Sequence, residues 1–330
     1  MLTKTLLKLG MVFTTFLLLL NALMAGTGTE GVQFLKIKTS ARIASIGDGF
    51  VSVSDDVNAV STNPAGLGLI RNIEASFMHM VYVAETSYES VSVALPVGDN
   101  LKIGGNFSFL NYGSMFKTVE DGFGIYSGPN GSFSPFDLVF SLCAGIKLNK
   151  IVYIGAGLKY AMEETDGDNT SVFLGDAGIL IKSEGFGFGV AVCNIGIMKD
   201  DRAPIIGKAG ISNSYSLISE NDILIALGAN YVVAGAKISG SAGFEYCYDN
   251  MFTLRGSCGI GYDTDNINVG AGFKDTMDGV LYGIDYNYSL LGNFGTAHRI
   301  SLTIKLGEKA SRNTPAKRSG NSIRKYYNLK

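Results

Sequence analysis

From residue 73 to residue 306 the chain alternates apolar and polar positions with a period of two, the mark of strands with two unlike faces. The last run is the clearest. Ile300, Leu302, Ile304 and Leu306 share one face, while Arg299, Ser301, Thr303 and Lys305 share the other. The same dyad sets Leu101, Ile103, Phe107 and Phe109 against Lys102, Asn106 and Ser108. About fourteen such runs occur, each close to the ~9–11 residues that cross a bilayer at a tilt. They begin near Ile73, Tyr88, Leu101, Phe136, Ile151, Ser171, Phe186, Ile205, Ile223, Lys237, Phe252, Ile267, Leu281 and His298. An even number suits a closed antiparallel barrel, which has no edge and pairs every backbone group. The expected fold is all-β, a transmembrane antiparallel β-barrel of about 14 strands over residues 71–307.

Connection lengths support that reading. The third connection, Asn111 to Pro135, is the longest and is rich in Gly, Ser and Pro. Glu163–Asn169, Met198–Pro204 and Leu291–Thr296 are also odd-numbered and long, whereas Gly98-Asp99, Asn149-Lys150, Asp249-Asn250 and Asp275–Gly279 read as turns. Long loops on one side and short turns on the other are the habit of outer-membrane barrels. A soluble sandwich would alternate too, but its outward face would be richly charged. Here the polar face carries few charges, of mixed sign.

Residues 26–70 do not alternate and are read as a small hatch, or plug, inside the lumen. Ser40 is placed to cap a turn over Ala41–Ala44, and Gly47 to end it with a positive φ. Phe50–Val53 reads as extended. Ser54 reads as the cap of a second turn, with Asp55 and Asp56 favouring the positive end of its dipole. Pro64 should stop that turn at Asn63.

Composition narrows the class. Apolar residues make up 46% of the 330-residue chain and charged residues 17%, with 43 Gly, 16 Tyr and 19 Phe. Lipid-facing apolar positions, interfacial aromatics and small residues at bends account for that balance. A net charge of −2 offers no basic face for nucleic acid. Residues 1–25 read as a secretory signal, with Lys4 and Lys8, an apolar run over 11–20 and small residues over 22–26. Residues 308–330 are polar and basic and are expected to form a disordered periplasmic tail. Cys143, Cys193, Cys247 and Cys258 stand singly and suggest neither a metal site nor a bridge, with Cys247 inward and Cys258 outward. The runs Gly185–Gly189 and Gly155–Gly157 lie within strand patterns, where packing or lumen clearance explains them better than a phosphate loop. No nucleophile elbow or two-His metal motif occurs, so neither enzyme activity nor a cofactor or metal is expected.

Gly104-Gly105 interrupts the third run and reads either as a bulge that opens the wall sideways or as room for the plug.

The segments Ala41-Arg42, Gly47-Asp48-Gly49-Phe50-Val51, Asp55-Asp56, Asn58-Ala59 and Asn63-Pro64-Ala65-Gly66-Leu67 resemble the N-terminal signature of the PorV/PorQ family, and residues 298–302 its last strand. That family is similar to FadL-type outer-membrane transporters of hydrophobic compounds. The resemblance implies a fourteen-stranded barrel in the outer membrane of a diderm bacterium. It also implies a hatch motif at Asp55, Asp56, Asn63, Pro64, Ala65 and Gly66, and a lateral exit at the strand distortion, here Gly104 and Gly105. Three roles follow from it: passive transport of hydrophobic molecules such as long-chain fatty acids, a part in type IX secretion with secretion-system proteins as partners, or a structural barrel contacting only outer-membrane lipid. The chain departs from the family pattern in continuing past Gly307.

Overall fold

The computed structural model describes residues 30–198, 203–217 and 221–307. The expected signal segment and basic tail lie outside the described residues. Among the described residues sixteen strands follow one another: β1 (Glu74–Val81), β2 (Ser87–Pro96), β3 (Leu101–Asn111), β4 (Met115–Glu120), β5 (Tyr126–Phe133), β6 (Phe136–Lys147), β7 (Val152–Thr165), β8 (Asp168–Ser183), β9 (Phe186–Ile195), β10 (Ile206–Ser216), β11 (Asp222–Val232), β12 (Lys237–Tyr248), β13 (Phe252–Ile260), β14 (Ile267–Met277), β15 (Val280–Leu290) and β16 (Thr296–Leu306). Fourteen of them pair with their neighbours into a closed barrel, sealed where β1 meets β16. The remaining two, β4 and β5, form a separate hairpin within the third connection.

The alternation places the strands closely. The largest displacement is at β8, which starts at Asp168 where the pattern suggested Ser171. That shift has a cause. Thr165 still pairs with Asp168, so the expected long connection is a two-residue turn in which Asp166 and Gly167 both take positive φ. The third connection differs too, being a hairpin in place of irregular chain.

Side chains divide as a membrane barrel requires. Phe77, Phe107, Phe140, Leu142, Ile284, Ile300 and Leu302 are exposed on the outer face, while Ser76, Ser92, Ser108, Ser141, Ser289 and Ser301 are buried within. An apolar outer surface of this extent has no stable place in water and belongs in lipid. Inward polar groups avoid the penalty of unpaired burial by bonding one another, as Asn106 does with Ser90 and Ser92 at 2.8 and 2.9 Å.

The hatch fills the lumen toward the end bearing the short turns. Its helices are α1 (Ala41–Ile46), α2 (Phe50–Val53) and α3 (Ala59–Thr62), followed by a 3-10 segment over Pro64–Leu69. They are too short to be stable alone, so wall packing must hold them. Phe50, Val51, Ala59, Val60, Ala65 and Leu67 are fully buried.

The wall accepts this backbone because inward positions around it are glycine. A Cβ on Gly155 would strike Pro64 and Ala65; on Gly178, Asn63; on Gly189, Val51; on Gly228, Asp48 and Gly49; on Gly243, Ile46. Glycine weakens a strand through entropy and lost side-chain packing. Here that loss is offset by direct seating of hatch backbone against wall backbone.

Replacing Gly228 with Val improves strand propensity yet fills the space held by Asp48 and Gly49. The variant should lose at least about 1–3 kcal/mol of hatch packing. Limited proteolysis of the detergent-purified barrel should then cut within residues 40–70 while the barrel stays closed. An uncut hatch would contradict the seating.

Candidate functional site

The hatch follows its expected local chemistry in part. The Ser40 hydroxyl accepts from the Ile43 N–H at 3.1 Å and starts α1, and Gly47 ends it at φ 78°. Phe50–Val53 is helical, however, and not extended. Its four side chains are all buried, and a helical turn brings all of them into the packed lumen. Ser54 does not cap a following turn. It closes α2 in the left-handed region at φ 30°, and its hydroxyl donates back to the Phe50 carbonyl at 2.9 Å.

Asp55 and Asp56 consequently do not serve a helix dipole. Both accept from Arg42 Nη1 at 2.6 Å, and Asp56 also accepts from the Asn58 N–H at 2.9 Å, leading into α3. Arg42 Nε reaches Glu245 on β12 at 3.0 Å. Arg255 on β13 then joins Glu245 at 2.6 Å to Asp285 on β15 at 2.5 Å. The Arg42 guanidinium thus ties two segments of the hatch to β12, and a second guanidinium, that of Arg255, carries the network on to β13 and β15. Burial alone would push the Asp55 carboxyl up, but Arg42, Lys182 and Lys305 outweigh it and hold the group well below its usual range.

Asn63 anchors the other side. It is extended, at φ −150°, its Oδ1 accepts from the Ala65 N–H at 3.2 Å, and its Nδ2 donates to the carbonyls of Val51 and Ile179 at 3.0 and 3.2 Å. Pro64 opens the 3-10 segment, where its missing N–H leaves nothing unpaired. Ala65 and Gly66 are buried behind it, and Gly66 lies against Ser54 and Ala59.

Of the two readings of Gly104-Gly105, a bulge or room for the hatch, the strand pairing shows no bulge. Gly104 pairs with Ala94 and Cys143, and Gly105 with Val93 and Leu142, without a slip in register. A Cβ on Gly104 would meet Val60 and Leu67, so that glycine makes room for the hatch. The barrel's register break lies elsewhere, between Gly175 and Ala177 where β8 meets β9. There Asn194 takes φ 63°, its N–H donates to Asp176 at 2.8 Å, and buried Lys159 reaches Asp176 at 2.7 Å.

Between hatch and loops lies a cavity of about 460 Å³. One side is apolar, lined by Leu35, Ile37, Tyr82, Tyr88, Val139 and Leu291, and behind it Val32 and Phe34 of the hatch pack with Met78, Met80 and Leu110. The other side is polar. The connection after β13 folds inward, where Tyr262 bonds to Asp48 of the hatch, Asn230 donates to both, and Lys38 pairs with Asp265 at 2.7 Å. Asp265 is pushed up by burial, yet Lys38 and Arg299 bring it below its ordinary value.

Arg299 is the unusual group here. It is 2% exposed and lines the cavity, and its Nη1 donates to Asn287 at 3.0 Å and Ser289 at 2.5 Å. Its Nε has no partner, and among the described residues no carboxylate stands within ion-pair distance of it. Lys208 lines the same cavity. Sequence reasoning placed Arg299 on the polar face without marking it. The available signal was a lone Arg at mid-strand on a lumen face dominated by Ser and Asn.

No family model matches the chain, and no curated protein matches it. Solved structures do. The CymD monoaromatic hydrocarbon channel aligns with TM-score 0.54 and 11% identity over 81% of this chain and 96% of its own. The Pseudomonas putida toluene transporter TodX aligns with TM-score 0.52 and 11% identity over 81% and 96%. This likeness is one of fold: a fourteen-stranded closed barrel of the FadL type, an architecture of the bacterial outer membrane.

Because Asp55 is depressed, its contribution to hatch seating is fully present above its unfolded value near ~4 and is lost as pH falls through the folded value. The difference in hatch-amide exchange between wild type and Asp55→Asn should therefore be constant from about pH 5 to 8, after correction for intrinsic rates, and should shrink only in stronger acid. Arg42→Met strands buried Asp56, frees Asp55 and leaves Glu245 to Arg255 alone, and should destabilise the hatch by about 3 kcal/mol. Unaltered protection in that variant would contradict the tie.

Proposed function

We propose that the chain is an outer-membrane channel for hydrophobic small molecules that carry an anionic head, such as long-chain fatty acids. The carrying observation is the cavity above the hatch, apolar on one side, with Arg299 buried on it and short of a partner at Nε. Asp265 acts on Arg299 only from beyond ion-pair distance, and a buried cation with no direct ion pair is unfavourable unless a ligand supplies one. A carboxylate beside Arg299, with its tail along Tyr88, Val139 and Leu291, satisfies both halves. A bare hydrocarbon, the cargo named for CymD and TodX, leaves the cation unanswered.

The loop end faces outward on this reading, and the short turns face the periplasm. Asp55, Asp56, Asn63, Pro64, Ala65 and Gly66 then act as the seal on the periplasmic side, below the cargo. The N-terminal signature that resembles PorV/PorQ supplies these residues, which supports placing the chain near that family.

Arg299→Met should retain barrel assembly, read as heat-modifiable migration on gels. It should cut uptake of a fluorescent long-chain fatty acid by about tenfold or more, the scale of one charged hydrogen bond. Toluene uptake should be unaffected. Equal loss of both cargoes, or fatty-acid uptake equal to wild type, would contradict the assignment. So would purified barrel carrying secretion-system proteins and no lipid.

A further inference from the structure

A second concavity, of about 470 Å³, lies at the short-turn end, between the last hatch residues and the turn joining β2 to β3. It has no role in the account of the cargo. Gly68, Leu69, Ile70 and Arg71 line it from the hatch, Pro96–Asp99 from the turn, and Lys102, Lys147 and Tyr153 from the wall.

The charge on its lining is one-sided. Arg71, Lys102 and Lys147 bring three cations and Asp99 one carboxylate, a surplus of two positive charges. Among the described residues, none of the three cations has a carboxylate within ion-pair distance, although Arg42, Lys38, Lys159, Lys237, Arg255 and Lys305 all do. Lys102 is 6% exposed, and its ammonium donates to the carbonyls of Gly98 and Asp99, the latter at 2.8 Å. An ammonium has three N–H groups, so one remains. Arg71 and Lys147 are exposed at the mouth and free to converge on a ligand.

Position selects the ligand. Val97, which lines the cavity, is 57% exposed, and Leu95 and Leu101 flank the same turn on the lipid-facing side. The concavity therefore has a basic floor and meets the membrane face at its rim through Val97, at the level of the periplasmic headgroups. Basic pockets at that level favour anionic lipid headgroups. We infer that Arg71, Lys102 and Lys147 form a binding site for the phosphodiester headgroup of an anionic phospholipid of the inner leaflet. The acyl chains lie over Val97 and Leu95. The occupied site clamps the end of the hatch, through Arg71, to the turn between β2 and β3.

Native mass spectrometry of the full-length barrel in non-ionic detergent tests this with a short-chain phosphatidylglycerol, the matching phosphatidylcholine, and inorganic phosphate. Wild type should retain phosphatidylglycerol at one-to-one stoichiometry and in preference to phosphatidylcholine, and excess inorganic phosphate should not displace it. The exposed pair Arg71→Gln and Lys147→Gln should reduce retention by about tenfold or more. Asp99→Asn should increase it. Equal retention of the two lipids, or full retention by the double variant, overturns the site. Displacement by inorganic phosphate overturns the lipid assignment in favour of a soluble anion. Fatty-acid uptake by the double variant should equal wild type, which separates this site from the cavity above the hatch.

Discussion

The structure depends on close approach of backbone to backbone between hatch and wall. Short helices carry little stability of their own, and a barrel of fourteen strands leaves an interior that side chains alone fill poorly. Glycines at Gly155, Gly178, Gly189, Gly228 and Gly243 bring Pro64, Asn63, Val51, Asp48 and Ile46 onto the sheet itself. The hatch becomes part of the packed core. Arg42 and Asn63 then fix its rotation, one by charge and one by hydrogen bonds to the chain.

That constraint also explains what could be read in the sequence and what could not. The dyad alternation carries the barrel because a one-residue slip would turn every apolar side chain into the lumen. Strand starts and the inward and outward cysteines follow from it directly, and Cys258 is exposed where Cys247 is buried. The hatch was less legible. Phe50–Val53 has the β-branched composition of a strand, yet burial on all sides of a narrow lumen overrides that propensity. Asp55 and Asp56 were visible as a pair, but their partner Arg42 lies 13 and 14 residues earlier. Gly104 showed the same ambiguity, since a glycine in a strand signals a bulge and a close neighbour alike, and only Val60 and Leu67 decide between them.

The hatch divides the lumen into two electrostatic regimes. At its underside acids and bases neutralise one another through Arg42, Glu245, Arg255 and Asp285, which suits a seal that must not titrate in ordinary conditions. Above it, among the described residues, Arg299 has no carboxylate within ion-pair distance and stands beside an apolar wall. On the proposed function, neutrality marks the part of the chain that stays shut, and the cation above it the place where an amphiphile is held.

The proposed channel requires the seated hatch to close the lumen. Conductance of the purified barrel in planar bilayers tests it most directly. Wild type should show no stable open-channel steps, and a chain lacking residues 40–70 should show large, long-lived ones. Sustained conductance through the wild-type barrel, comparable with that of the deletion, would contradict it.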